Sequence, residues 1–391
     1  MPRFDPFPAV RYAATAGNPS DLVAPPYDVI GPDERAALQA RSPVNAVRLE
    51  LPADGHAGAA ERFRAWLADG TLVRDPGPAF YLYRMTVGGR STTGVLGALG
   101  LEAPGRGILP HERTTAKDKS DRLGILRTTQ VNLSPIWGLA AADGRLAAAT
   151  RPDGLERLAR AVDDEGIVHE LWRLDDAERM AEVTAAVAAQ PVLIADGHHR
   201  FEVGNAHRVD DGAAPGAQAI LAYLVELAEE ELAVHPIHRL LSDLPAGITL
   251  PPALTAWFQI TPAAVDRAEE LPSAMAEEGA LGLILPDGLW LARPRATTSA
   301  EAADDLDSCR LDVALDALAA MGKPLTVRFQ HGAGIVADAV RKGEAAAAVL
   351  LRPATVAQIA ATGAGGTRMP PKTTFFWPKP RTGLVFRELS S

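Results

Sequence analysis

Short apolar runs broken by turns alternate along this chain with amphipathic stretches of helical period. The sharpest run is Val192-Leu193-Ile194-Ala195, an apolar strand that stops at Asp196-Gly197. His198, His199, Arg200 and Glu202 then fall in the first turns of a helix. Upstream, Val44–Leu51 alternates as a strand carrying Asn45, Arg48 and Glu50, and residues 58–69 place Ala59, Phe63, Trp66 and Leu67 on one helical face. Gly88-Gly89 between the alternating runs 79–87 and 92–101 predicts a hairpin. A helix is expected over 121–128, a strand over 133–140, helices over 153–162 and 175–189, and strands over 167–174 and 219–227.

Beyond residue 244 the pattern predicts a hairpin turning at Pro286-Asp287-Gly288 and a helix over 311–321. Strand 325–329, helix 333–342, strand 345–351 and helix 354–362 then alternate as a right-handed parallel crossover would. The pattern reads as an α+β protein with mixed sheets. Residues 1–243 form a core around the 192–202 stretch. Residues 244–391 form a second α/β lobe whose proline-rich tail returns to the site.

Composition narrows the class. With 391 residues, 47% hydrophobic and 23% charged, the chain is of ordinary globular make-up and long enough for two domains. A net charge of −10 argues against a dedicated nucleic-acid binder. No apolar run approaches the ~20 residues a membrane span requires, and Met1-Pro2-Arg3-Phe4-Asp5 lacks the apolar core of a signal peptide. Cys309 is the only cysteine, so neither an intrachain disulfide nor a Cys-x-x-Cys pair exists. A cytoplasmic protein is expected, with the oligomeric state left open to a homodimer. Only six of 39 basic residues are lysine, and four of these, Lys117, Lys119, Lys372 and Lys379, fall in two short stretches, 111–122 and 367–383.

The candidate chemistry gathers at four places. A helix start preceded by Gly197 offers unpaired N–H groups to an anion, and two imidazoles and a guanidinium within three residues suit a phosphoryl group. Asp196 either caps that helix or holds a metal ion. Residues 111–122 are almost free of large apolar side chains: Glu112 is a candidate carboxylate base, beside Arg113, Thr114, Lys117 and Arg122 as phosphate ligands. Pro25-Pro26 presents Tyr27 and Asp28 rigidly, and the tail offers Lys372, Thr373 and Thr374. His235 and His238 bracket a proline, which argues against a zinc pair on one helical face.

Together the blocks Ala24-Pro25-Pro26-Tyr27-Asp28-Val29-Ile30, His111-Glu112-Arg113-Thr114, Asp121-Arg122, Ala195-Asp196-Gly197-His198-His199-Arg200 and Met369–Phe376 resemble a bacterial domain-of-unknown-function family, number 1015, often labelled ParB/Spo0J-like. The Asp-Gly-His-His-Arg block resembles that of the ParB/sulfiredoxin superfamily, and within it most closely the free serine kinases. The resemblance implies a ParB/sulfiredoxin-like mixed-sheet core. It also implies that Asp196, His198, His199 and Arg200 bind the transferring phosphate and its Mg²⁺, with a separate glutamate as base. No motif fixes that glutamate; Glu112 is the first choice on local chemistry and Glu50 the reserve. The chain departs from partition proteins in its acidity and lack of a helix-turn-helix, and from sulfiredoxins in having no cysteine near the motif.

The expected function is a nucleotide-dependent small-molecule kinase, using Mg²⁺ and a nucleoside di- or triphosphate, ATP or ADP first, to phosphorylate an amino-acid hydroxyl, free serine leading. The alternative is a nucleotide-binding regulatory module that hydrolyses slowly or not at all. A histidine-metal hydrolase built on His198, His199 and His235 is the third reading.

Overall fold

The computed structural model describes residues 1–101, 107–110, 116–210, 213–228, 232–244, 249–302, 305–320, 325–365, 369–370 and 372–390. They divide into two units, one of residues 1–232 with 378–391 and the other of residues 233–377. The architecture is α+β.

The first unit is built on a mixed sheet. From one edge the strands run Ile108–Pro110, Val192–Asp196, Ile136–Ala140, Ala219–Glu226, Arg90–Gly100, Phe80–Val87, Val168–Leu174 and Arg157–Val162, with Phe4–Asp5 also pairing onto Arg90–Gly100. Val192–Asp196 is parallel to Ile108–Pro110 and antiparallel to Ile136–Ala140, which is itself parallel to Ala219–Glu226. The strands that read as unbroken apolar runs are the central ones: all eight residues of Ala219–Glu226 and all five of Ile136–Ala140 are buried. At Gly97 a side chain is excluded, because a Cβ there would meet the Phe4 ring at 2.4 Å. That ring stacks on Phe80 with centroids 5.1 Å apart.

A second apolar cluster joins the helices Gly55–Ala68 and Ala116–Thr129 to the residues around 47 and to the tail, through Phe63, Trp66, Val47, Leu49, Ile125 and Phe386. Val47–Glu50 is a single helical turn, not part of a strand. Asn45 explains the difference: its Oδ1 accepts the Val47 N–H at 2.9 Å, and its Nδ2 donates to the carbonyls of Asp21 and Val23. A buried asparagine that satisfies the start of a turn and ties it to another segment overrides a short alternating pattern. The helix expected over 153–162 is likewise a strand, Arg157–Val162, paired with Val168–Leu174. The Asp163 carboxylate accepts the N–H groups of Glu165 and Ile167 and so closes the connecting turn. Cross-strand pairing decides over the helical propensity of Leu and Ala.

The second unit is a six-stranded antiparallel sheet in the order Phe258–Pro262, Gly288–Pro294, Leu281–Leu285, Ala347–Leu350, His238–Ser242, Thr326–Gln330. Both faces are covered, and the period of two shows it. Leu241, Leu283 and Val349 point to the helix Asp307–Ala320, whereas Leu240, Ile284 and Leu350 point to Leu271–Glu278 and Ala333–Arg341. Strands 326–330 and 347–350 are parallel, as the crossover pattern predicts. They are not neighbours, however: His238–Ser242 lies between them, antiparallel to both.

His238 is 3% exposed, and its Nδ1 accepts the Leu351 N–H at 3.2 Å. An acceptor nitrogen requires the neutral imidazole; protonation would set two donors face to face. Burial first, then the charges of Arg239 and His331, pull its pKa from 6.5 to about 4. The unfolded chain then takes up a proton that the folded chain refuses. Stability is therefore full above pH 6.5 and falls as the pH drops toward 4, by up to about 3 kcal/mol. Urea unfolding followed across that window should show the loss. His238→Asn, which keeps an acceptor and removes the titration, should flatten it.

Candidate functional site

The site in the first unit starts from the strand Val192–Asp196, whose first four residues are buried and whose register slips between Ile194 and Asp196. That irregularity re-aims the end of the strand and brings Asp196 opposite Trp137. Gly197 follows with φ of +89°, and a Cβ there would lie 3.1 Å from the Ile136 Cα and from the Arg200 guanidinium. Only glycine permits this passage from strand to helix without strain. The helix His198–His207 begins at once, with His198 buried and His199 partly exposed in its first turn.

Asp196 is held from two sides. Arg200, one helical turn on, donates through Nη2 to Oδ2 at 2.8 Å, and the Lys379 ammonium donates to Oδ1. Burial alone would raise the Asp196 carboxyl, but the charges of Lys379 and Arg200 outweigh it and hold the group well below the usual carboxylate range. Burial opposes the charge on Lys379, and Asp196 and Asp28 more than restore it, so its pKa is raised. The Asp28 carboxylate lies 3.8 Å from the same ammonium. Arg200 also donates to the Pro135 carbonyl, and its Nε is buried without a hydrogen-bond partner among the described residues.

Next to this triad stands a buried carboxylate. Glu50 ends the turn that Val47 and Leu49 anchor in the core, and it is 2% exposed. Its Oε1 accepts from the Ser134 hydroxyl at 3.0 Å and lies 3.8 Å from the Arg122 guanidinium, while Oε2 has no hydrogen-bond partner among the described residues. Arg122 donates to the Glu50 carbonyl at 2.8 Å and lies over the Tyr27 ring, 4.3 Å from its centroid. Burial, partly countered by Arg200 and Arg122, pushes the Tyr27 phenol up to about 12. Glu50, Arg122, Ser134 and Arg200 form the polar end of a cavity of about 50 Å³, whose other walls include Ile125, Leu133, Val203 and Ile220. The mostly apolar walls and the few polar groups converging at one end give the space two chemically distinct ends.

The tail that supplies Lys379 is fixed by a buried network. The Arg381 side chain donates to the Asp163 carboxylate, which also takes His169 Nε2 at 2.9 Å. Nε2 therefore carries the proton, and His169 Nδ1 accepts from the Tyr83 hydroxyl at 2.8 Å. The Tyr83 oxygen in turn accepts the Arg381 N–H at 3.1 Å. Burial first, then the Arg381 charge, lowers the His169 pKa and keeps it neutral, as the network requires. One residue further on, Thr382 and Ala24 exchange both backbone hydrogen bonds, which joins the tail to the segment presenting Tyr27 and Asp28.

Asp196, Arg200, Tyr27, Asp28 and Arg122, all expected from the sequence, thus come together, and Glu50 joins them from reserve. Glu112, Arg113 and Thr114 lie outside the described residues, and of Lys117 only the backbone, in the helix Ala116–Thr129, is described. Lys372, Thr373 and Thr374 belong to the second unit: the Lys372 carbonyl accepts from Arg239 at 3.0 Å, Thr373 hydrogen-bonds Ser308, and Thr374 opens the strand Thr374–Trp377. Lys379 and Ser134 were not expected individually. A lysine between two prolines in an arginine-rich chain was the available signal for the first; Ser134 carried none. Among the described residues no three His, Cys, Asp or Glu side chains gather as a metal-ligand set, and His235 packs edge-on against Trp377. No helix among the described residues is long and apolar enough to cross a membrane.

Comparison with solved structures finds distant likenesses only. A conserved hypothetical protein from Pyrococcus furiosus is 12% identical over 72% of this chain and 92% of its own, with a TM-score of 0.39. A free serine kinase in complex with AMP is 13% identical over 71% and 89%, with a TM-score of 0.37. The protein SbnI with a C-terminal truncation, from Staphylococcus aureus, is 10% identical over 74% and 85%, with a TM-score of 0.40. Likenesses this distant leave both fold family and activity to be reasoned from the chain's own residues. No curated protein matches the chain. The family described as "Protein of unknown function (DUF1015)" matches residues 4–314, about four-fifths of the sequence, and the chain belongs to it.

Proposed function

We propose that the chain is a nucleotide-dependent small-molecule kinase, with a ParB/sulfiredoxin-like core, that transfers a phosphoryl group to the hydroxyl of an amino acid, free serine first among the candidates. The observation that carries the reading is Glu50: a buried carboxylate with one oxygen unengaged, facing a small cavity beside two guanidiniums. Such an oxygen is suited to accept the proton of a bound hydroxyl as it attacks phosphorus. Arg200, Lys379 and Arg122 supply the positive charge that a transferring phosphoryl group needs. His198 and His199 add donors at the start of the helix that follows Gly197.

The donor set suits Mg²⁺, which takes one or two carboxylates and completes its shell with water and phosphate oxygens. Asp196 and Asp28, both now facing Lys379, would hold it when a nucleotide is bound, and Lys379 would move to the phosphates. Bound there, the ion neutralises phosphate charge. ATP or ADP is the expected donor, in a cytoplasmic setting.

The test is nucleotide consumption in the presence of Mg²⁺, with ATP, ADP, CTP and GTP, each with and without a pool of free amino acids and small hydroxy acids. Consumption that rises at least about tenfold with an acceptor is expected. Binding without acceptor-dependent turnover would replace the kinase by a regulatory nucleotide module.

A further inference from the structure

The second unit holds a cavity of about 250 Å³ that the kinase reading does not use. It opens where the strand Ala347–Leu350 ends, between the first residues of the helices Asp307–Ala320 and Val356–Gly365, and Thr373 forms part of its wall. Two guanidiniums project into it, and they differ. Arg352 is locked: it donates to both Asp307 oxygens, at 2.9 and 2.6 Å, and its own N–H donates to Asp307 at 3.0 Å. Asp307 is buried and committed to that pair, so Arg310 reaches it only at 3.3 Å.

Arg310 is consequently under-used. Its side chain is 13% exposed, its Nε is buried without a hydrogen-bond partner among the described residues, and its other bond there goes to Asp305, a carboxylate 76% exposed at the rim. Ser308, Thr355, Gln358 and Thr373 place hydroxyl and amide groups around the same space. A guanidinium held in a cavity, with one donor unsatisfied and another answered by an exposed surface carboxylate, is arranged to take an anion in that carboxylate's place.

We propose that this cavity is a second ligand site that binds the phosphoryl group of a small phosphate ester, through Arg310, by displacing the Asp305 carboxylate. Bidentate geometry favours phosphate, whose several oxygens can meet Nε and Nη2 together. The volume limits the remainder to a few heavy atoms, and the surrounding hydroxyl and amide groups favour a hydroxylated one. The site lies within residues 305–373 and does not depend on the kinase reading.

The experiment is a titration of the full-length protein with inorganic phosphate and with glycerol phosphate, followed by calorimetry and ³¹P line broadening. Acetate and glycerol are the controls. The two key variants should move in opposite directions. Asp305→Asn removes the internal competitor and should tighten glycerol phosphate by about fivefold or more, whereas Arg310→Gln should weaken it by about tenfold or more. Lys379→Met, in the other unit, should leave the Asp305-dependent binding unchanged. Equal affinity in wild type and Asp305→Asn, or weaker binding in Asp305→Asn, would overturn the proposal whatever Arg310→Gln does. Loss of the signal in Lys379→Met alone would assign the phosphate to the first unit and equally overturn it.

Discussion

Glu50→Gln should lower acceptor-dependent phosphoryl transfer by about 10³-fold and leave the fold within about 1 kcal/mol of wild type. The two halves of that expectation have different causes. Glutamine keeps the shape of the side chain and an oxygen for the Ser134 hydroxyl, so the contact at 3.0 Å survives. Arg122 keeps its bonds to the Glu50 carbonyl and to Asp121, so it is not orphaned. What disappears is the second carboxylate oxygen, which is buried and takes no hydrogen bond among the described residues. A structural glutamate would show the opposite pattern, with a large fall in stability and a modest effect on rate. Turnover in Glu50→Gln within a few-fold of wild type would remove Glu50 as the base and return the search to the segment around Glu112.

How much of this site could be seen in the sequence depends on the range of the interactions that build it. Asp196, Gly197 and Arg200 are legible because their geometry is local: a strand end, a residue with positive φ, and an ion pair one helical turn long. The apolar central strands are legible for the same reason, since burial on both faces writes itself as an unbroken run. The alternating pattern around Glu50 misplaces it on a strand, because Asn45 fixes the turn through carbonyls more than twenty residues away. Arg157–Val162 has a helical composition yet is a strand, because its partner strand, not its composition, decides its conformation. Lys379 lies 183 residues from the carboxylate it neutralises. Its place depends on Arg381, Asp163, His169 and Tyr83, and none of these four stands in a motif or at a spacing that marks chemistry. Long-range positioning of this kind leaves no periodic trace.

The Asp196–Lys379–Arg200 cluster gives the second large effect, and its signature is an asymmetry. Asp196→Asn should destabilise the protein by about 3–5 kcal/mol, because it leaves an ammonium and a guanidinium, each largely buried, facing one another with only the more distant carboxylates of Asp28 and Glu50 to offset them. Lys379→Met should be milder, about 1–2 kcal/mol, since Asp196 keeps its 2.8 Å bond from Arg200 and the remaining pair is balanced. Urea unfolding at neutral pH orders the two. Acid supplies an independent check: the depressed Asp196 carboxyl contributes stability that is complete above the ordinary carboxylate range near 4 and is lost as the pH falls through its folded value. Asp196→Asn should therefore lose part of the acid dependence as well as the stability. Turnover should fall in both variants, by about 10²-fold or more, because the phosphoryl group loses either the aspartate that orders its cations or one of the cations. Equal stability losses in the two variants would mean that Lys379 and Arg200 do not share one carboxylate in solution, and the ligand-free site would then be open.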